Sequence, residues 1–218
     1  MEIPQRGLAI YTWGNVSAFD RKAAVFAIKP SGISYDVLTA DDMVVVDLEG
    51  TAVWGDRRPS SDTETHRFLY RAFQGIGGIT HTHSTYATAW AQAGKDVPVF
   101  GTTHADLGFG EIPCTAYISE EAVNSGYERE TGSLIARIFK TLEKDPLHLP
   151  MALVAGHGPF TWGVNAGQSV YHAAALEEIC KMAFFTLQIN PDASPIPPYI
   201  INKHWERKHG PNAYYGQK

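Results

Sequence analysis

The sequence predicts a single domain of the α/β class spanning residues 1–218, on three observations. Short apolar segments rich in β-branched residues, such as 24–29 and 43–48, alternate with longer segments of helical period. With 218 residues the chain is long enough for one sizeable core, and no repeat or linker divides it. Its composition, 44% hydrophobic and 19% charged, is that of a globular protein and not of a disordered one. A net charge of −5 without a long basic run leaves no electrostatic footprint for nucleic acid or a membrane surface. Neither a signal-peptide pattern nor an apolar run of membrane-spanning length is present. Cys114 and Cys180 are too few for a disulfide framework and are expected to be buried thiols in a reducing compartment. A cytoplasmic enzyme is the expected class.

In chain order, segment 8–13 is predicted as the first strand and Gly14-Asn15-Val16-Ser17 as a turn. That turn is either an ordinary one or a polar loop that presents donors to a ligand. Segment 24–29 reads as a strand. The Lys29-Pro30-Ser31-Gly32 that ends it combines a cation, a hydroxyl and flexible amides, the parts of an anion cradle. It is not a Walker sequence, so no nucleotide is implied. Thr39-Ala40-Asp41-Asp42 reads as a capping turn, followed by strands at 43–48 and 51–54. A helix should begin at Ser61 or Asp62, with Phe68, Leu69, Ala72 and Phe73 on its buried side and His66 packed or at the surface. The free amides at its start would be a second anion site, although capping alone also accounts for Ser60, Ser61 and Asp62.

Segment 85–93 is predicted as a helix ended by Gly94. The glycine-flanked loop 101–108 carries His104 and Asp106, and Asp106 is either a proton-transfer group or a turn former. A strand is expected at 112–115, a helix from about 128 to 142, and a long helix over 166–189 in which His172 is structural. From 192 onward a proline-rich extended segment leads to a basic, aromatic tail, either solvated or reaching a neighbouring subunit.

The chemistry concentrates at Gly77-Gly78-Ile79-Thr80-His81-Thr82-His83-Ser84. Alternate side chains of a strand share a face, which sets His81 beside His83. Two neutral imidazoles on one face can grip a transition metal, although the pair is equally two polar residues at a strand end. His157, in Leu153-Val154-Ala155-Gly156-His157-Gly158-Pro159, ends another apolar strand and supplies a third imidazole. Three histidine ligands with an open position are the arrangement of a catalytic metal site, as opposed to a closed structural one.

Seven segments together resemble the class II aldolase and adducin head superfamily, in one order from about Gly7 to the C-terminus. They are Thr12-Trp13-Gly14-Asn15-Val16-Ser17, Lys29-Pro30-Ser31-Gly32, Pro59-Ser60-Ser61-Asp62-Thr63, His81-Thr82-His83-Ser84, Gly101-Thr102-Thr103-His104-Ala105-Asp106, Gly156-His157-Gly158-Pro159-Phe160 and Tyr214-Tyr215-Gly216-Gln217. The Pro-Ser-Ser-Asp segment and the Tyr-Tyr-Gly-Gln ending are similar to its epimerase branch, which acts at C4 of L-ribulose 5-phosphate. The resemblance implies a three-layer α/β/α domain around a central, mainly antiparallel sheet. It implies that His81, His83 and His157 hold a zinc ion, with manganese or cobalt as alternatives, and that Asp62 lies beside or on the metal. Gly14, Asn15, Lys29, Ser31, Gly32, Ser60 and Ser61 would bind the substrate, chiefly its phosphate. Asp106 would be one acid/base, and Tyr215 of an adjacent subunit the other. His204 and Arg207 match tail residues beside a site at the subunit interface of a homotetramer. Family members carry a longer first helix than residues 1–6 supply, so either the start site is displaced or the chain lacks that helix.

The activity so implied is the reversible conversion of L-ribulose 5-phosphate, a phosphorylated ketose, to D-xylulose 5-phosphate. The route would be retro-aldol cleavage and re-addition of glycolaldehyde phosphate to an enediolate stabilised by zinc, a step shared by arabinose use and by ascorbate or gulonate use. One alternative is a class II aldolase cleaving fuculose or rhamnulose 1-phosphate, but those enzymes place a glutamate where Asp62 stands. Another is a non-catalytic adducin-like interaction domain, a class that has lost the metal ligands kept here.

Overall fold

A computed structural model describes residues 2–211, 213 and 214. Its seven strands are β1 (Asn15–Asp20), β2 (Val25–Ile28), β3 (Val44–Asp47), β4 (Ala52–Trp54), β5 (Gly78–His81), β6 (Met151–Val154) and β7 (Gly158–Gly163). They form one sheet in the order β4-β3-β2-β1-β5-β7-β6, with every neighbouring pair antiparallel. The helices are α1 (Glu2–Gln5), α2 (Thr63–Ala72), α3 (Thr85–Ala93), α4 (Thr102–Ala105), α5 (Glu120–Thr141), α6 (Ala166–Ile189) and α7 (Pro198–His209). None of the described helices is long and apolar enough to cross a membrane.

Strand register decides which residues share a face. Asn15 pairs with His81 and His81 with Phe160; in the row two residues on, Ser17 pairs with Ile79 and Ile79 with Trp162. These rows point the same way, because strand side chains alternate. Trp162 packs there against Phe73 and Phe139, ring centroids 5.0 and 5.2 Å away, so α2 and α5 cover this face. The intervening row, Val16, Thr80 and Thr161, points to the other side. There Thr80 Oγ1 meets Ser169 Oγ at 2.7 Å and Thr161 donates to the Ser169 carbonyl, so α6 covers the second face. Three layers result, with the main core of Leu69, Ile79, Ile135, Phe160, Trp162 and Leu176 filling them. At Gly78 a Cβ would lie 2.3 Å from the Ala166 nitrogen, so only glycine lets the start of α6 rest on β5.

Most predicted elements form close to where the spacing places them, including α3 with Gly94 as its left-handed cap (φ 62°) and α6 over the whole predicted range. Both cysteines are free and buried. Four expectations are corrected. Segment 8–13 is not a strand: Tyr11 takes φ 53°, and the first strand is the polar segment from Asn15, read from sequence as a turn. The face of α2 that meets the sheet carries His66, Leu69 and Tyr70, whereas Phe68 is only partly buried and Ala72 is exposed. Segment 112–115 makes isolated bridges from Ile112 and Cys114 but forms no strand. The tail forms α7, opened by Pro198 in its first turn and closed by Arg207, Lys208 and His209, which suit its negative end.

Burial lowers the pKa of both His66 and His104 to about 4, so both imidazoles are neutral in the fold. In the unfolded chain they regain a value of about 6.5 and bind protons first as the pH falls. Stability is therefore full above about pH 6.5 and declines toward pH 4, by roughly 2 kcal/mol per group at about pH 5. Urea midpoints at pH 7.5 and pH 5 should differ accordingly; equal midpoints would mean these rings are solvated.

Candidate functional site

Three chain segments converge at the ends of the central strands. His81 closes β5 and is buried, His83 follows beyond the strand and is exposed, and His157 sits in the turn between β6 and β7. One nitrogen from each of the three lies within 4.8 Å of the others. His81 Nδ1 is 2.9 Å from the Pro159 carbonyl oxygen, which can only accept, so Nδ1 carries the proton. Its Nε2 lone pair then faces His83 Nε2 at 3.1 Å and the Asp62 carboxylate at 3.9 Å. Phe160 stacks on the His81 ring, 4.2 Å between centroids, and holds its plane.

Burial lowers the pKa of all three histidines, that of His81 to about 3, so their lone pairs are free at neutral pH. Burial works to raise the pKa of Asp62, but the fields of His81 and His66 and a 2.6 Å hydrogen bond from Asn15 Nδ2 outweigh it. The net direction is down, and the carboxylate is charged. Three unprotonated imidazoles converging beside an anion fit a divalent metal.

The same residues open onto a cavity of about 590 Å³ lined also by Gly14, Asn15, Lys29, Ser31, Gly32, Ser60, Ser61 and Asp62. The two candidate anion segments are tied together: Ser60 N donates to the Lys29 carbonyl and Ser31 N to that of Arg58. Lys29 Nζ is buried against the carbonyls of Thr12 and Pro30 at 3.2 and 3.3 Å and over the Tyr35 ring, and burial lowers its pKa. A cation whose partners among the described residues are two carbonyls and an aromatic ring, and no carboxylate, leaves its charge available to an anion in this concave, hydroxyl-lined cradle. Gly14 permits the floor: it takes φ +70°, and a Cβ there would lie 2.7 Å from the His81 carbonyl oxygen. Gly14→Ala should cost roughly 2–3 kcal/mol through strain and clash combined. A thermal midpoint equal to the parent's would refute that close approach.

Asp106, His204 and Arg207 do not line this cavity. They form a second cluster, in which His204 Nδ1 and Arg207 Nε each donate to Asp106 Oδ1 at 3.0 Å and Lys208 Nζ lies 3.5 Å from Oδ2. Burial works to raise the pKa of Asp106, and the hydrogen bonds from Arg207 and His204 bring it below its ordinary value. Tyr215 lies outside the described residues. Two cavity residues escaped the sequence reading, Tyr127 and Glu128. Tyr127 Oη is 3.4 Å from His157 Nδ1. Their signal was Gly126, whose φ of 151° breaks α5 and turns the next residues toward the site.

Across 219 aligned residues the chain is 54% identical to the L-ribulose-5-phosphate 4-epimerases UlaF of Salmonella paratyphi C and Salmonella typhi, covering 100% of this chain and 95% of each relative. The solved structure of an L-fuculose 1-phosphate aldolase superposes with a TM-score of 0.76 at 26% identity, covering 94% of this chain and 90% of that one. Residues 1–184 match the Class II Aldolase and Adducin N-terminal domain, and with a three-histidine centre on a central antiparallel sheet the chain belongs to that family.

Proposed function

We propose that this chain is a zinc-dependent L-ribulose-5-phosphate 4-epimerase, an isomerase that interconverts L-ribulose 5-phosphate and D-xylulose 5-phosphate. The observation that carries the reading is one cavity lined by three converging imidazoles and by a buried lysine among serine hydroxyls, in a chain 54% identical over its whole length to epimerases.

The C4 proton of the substrate is not acidic, since the carbonyl is at C2, so simple deprotonation is chemically poor and C3–C4 bond cleavage is the feasible route to inversion. A base takes the C4 hydroxyl proton, the C3–C4 electrons pass to the C2 carbonyl, and glycolaldehyde phosphate and a dihydroxyacetone enediolate result. A zinc ion, when bound, supplies Lewis-acid stabilisation of negative charge developing on oxygen. His81, His83 and His157 would hold it, with Asp62 beside it. Lys29, Ser31, Gly32, Ser60 and Ser61, with Gly14 and Asn15, retain the aldehyde by its phosphate while it rotates and presents its other face. Inversion needs proton transfer on both faces, which gives separate roles to Asp106 and Tyr215.

We place these two in the site by assembly into a homotetramer, with the cavity of one subunit completed by the Asp106 cluster of another. Support comes from the separation of Asp106 from the cavity within one chain and from the exposed Met182, Phe184, Phe185 and Ile189 of α6. Free buried cysteines suit a reducing cytoplasm. A coupled assay for D-xylulose 5-phosphate, run with and without a chelator, tests the function. Chelator-sensitive turnover is expected. Its absence in zinc-loaded protein would overturn the reading and direct testing to fuculose and rhamnulose 1-phosphates.

A further inference from the structure

Between β1 and α2 lies a buried polar ladder. Asn15, Ser17 and Phe19 alternate on one face of β1, and Asp62, His66 and Tyr70 recur every fourth residue on one face of α2. Two residues of strand rise about 6.7 Å and four of helix about 6 Å, so the two repeats stay in step. Rung by rung, Asn15 Nδ2 donates to Asp62 Oδ2 at 2.6 Å and Ser17 Oγ meets His66 Nδ1 at 2.7 Å. Ser17 Oγ also meets Tyr70 Oη at 2.6 Å, and the Phe19 ring stacks on Tyr70, 4.7 Å between centroids. The ladder ends at the metal centre, because Asn15 stands opposite His81 in the sheet and Asp62 Oδ2 is 3.9 Å from His81 Nε2.

Such a ladder is costly. His66 and Tyr70 are at most 1% exposed, and His66 Nε2 has no hydrogen-bond partner among the described residues. Apolar side chains would pack there without an unsatisfied polar atom. What hydrogen bonds provide and apolar packing does not is a fixed axial position. An apolar helix face tolerates sliding, whereas reactive constellations require their groups within about 0.5 Å.

We propose that His66 is a positioning residue: bound to Ser17, it locks the axial register of α2 on β1 and thereby sets the distance of Asp62 from the three histidines. This rests on the reading of His81, His83 and His157 as metal ligands. Neither residue of the pair lines the cavity, so the effect runs through Asp62 and not through contact with substrate.

The test is a competitive cobalt(II) titration of the full chain with Ser17→Ala, His66→Leu and His66→Asn, with thermal midpoints measured in parallel. His66→Leu should weaken cobalt binding by about tenfold or more, the usual scale for a lost supporting hydrogen bond. Ser17→Ala, a small change certain to test the rung should His66→Leu not fold, should weaken it severalfold. His66→Asn keeps a polar atom at the height of Nδ1 and should restore parental affinity. In an Asp62→Asn background the loss from His66→Leu should shrink, since Asp62 is the group being placed. Parental cobalt affinity in His66→Leu and Ser17→Ala, whatever their midpoints, overturns this role alone. A parent chain that binds no cobalt overturns the metal reading and this role together.

Discussion

Asp106→Asn is expected to reduce turnover by at least about a hundredfold, the lower scale for a lost general acid or base, with metal content unchanged. The carboxylate is buried, yet His204, Arg207 and Lys208 hold it charged and in a fixed orientation. An amide of the same shape keeps the volume and some of the hydrogen bonding but cannot take a proton. Because Asp106 lies outside the metal cavity of its own chain, its replacement should not disturb the histidines. Turnover and metal content measured on one preparation separate the roles. Wild-type turnover would remove Asp106 from the chemistry, and loss of metal would make it structural.

His81→Asn should abolish both metal binding and turnover. His81 stands between the Pro159 carbonyl, which fixes its protonated nitrogen, and Phe160, which fixes its plane. A shorter amide cannot bring a donor to the position of Nε2, and two imidazoles remain, short of the three protein ligands usual in a catalytic centre. Turnover should fall by more than about a hundredfold, since the charge-stabilising group is lost outright. Retained activity with stoichiometric metal would show that the ion is held elsewhere. Lys29→Met acts on a different step and should raise KM for the phosphorylated substrate while metal remains bound.

The histidines were legible in the sequence because polar residues at the ends of apolar strands are conspicuous; Lys-Pro-Ser-Gly was legible as a candidate anion cradle, whereas Pro-Ser-Ser-Asp was open to a capping role as well. His66 was not, since an imidazole on a short helix reads as packing or surface. Its partner Ser17 is 49 positions earlier and sits in a segment read as a turn. The first strand was misplaced for a related reason: Asn15 and Ser17 point inward to polar partners, which inverts the usual alternation of apolar and polar. Tyr127 and Glu128 reach the cavity only through the break at Gly126, a backbone event without periodicity. The tail looked extended because prolines crowd segment 191–198, yet the last of them is the residue on which α7 begins.

The strand order has a consequence for how the molecule comes into being. During synthesis β1 to β4 emerge first and can close as consecutive hairpins, but none of them carries a histidine of the triad. β5 supplies His81, with His83 just beyond it, and waits with one edge open until β7, much later in the chain, inserts between β5 and β6. Pairings of such sequence separation form slowly and late. A nascent chain that ends before His157 therefore offers at most two of the three imidazoles. Tight capture of an ion would have to await the pairing of β7 with β5, so chains truncated before His157 should be left empty.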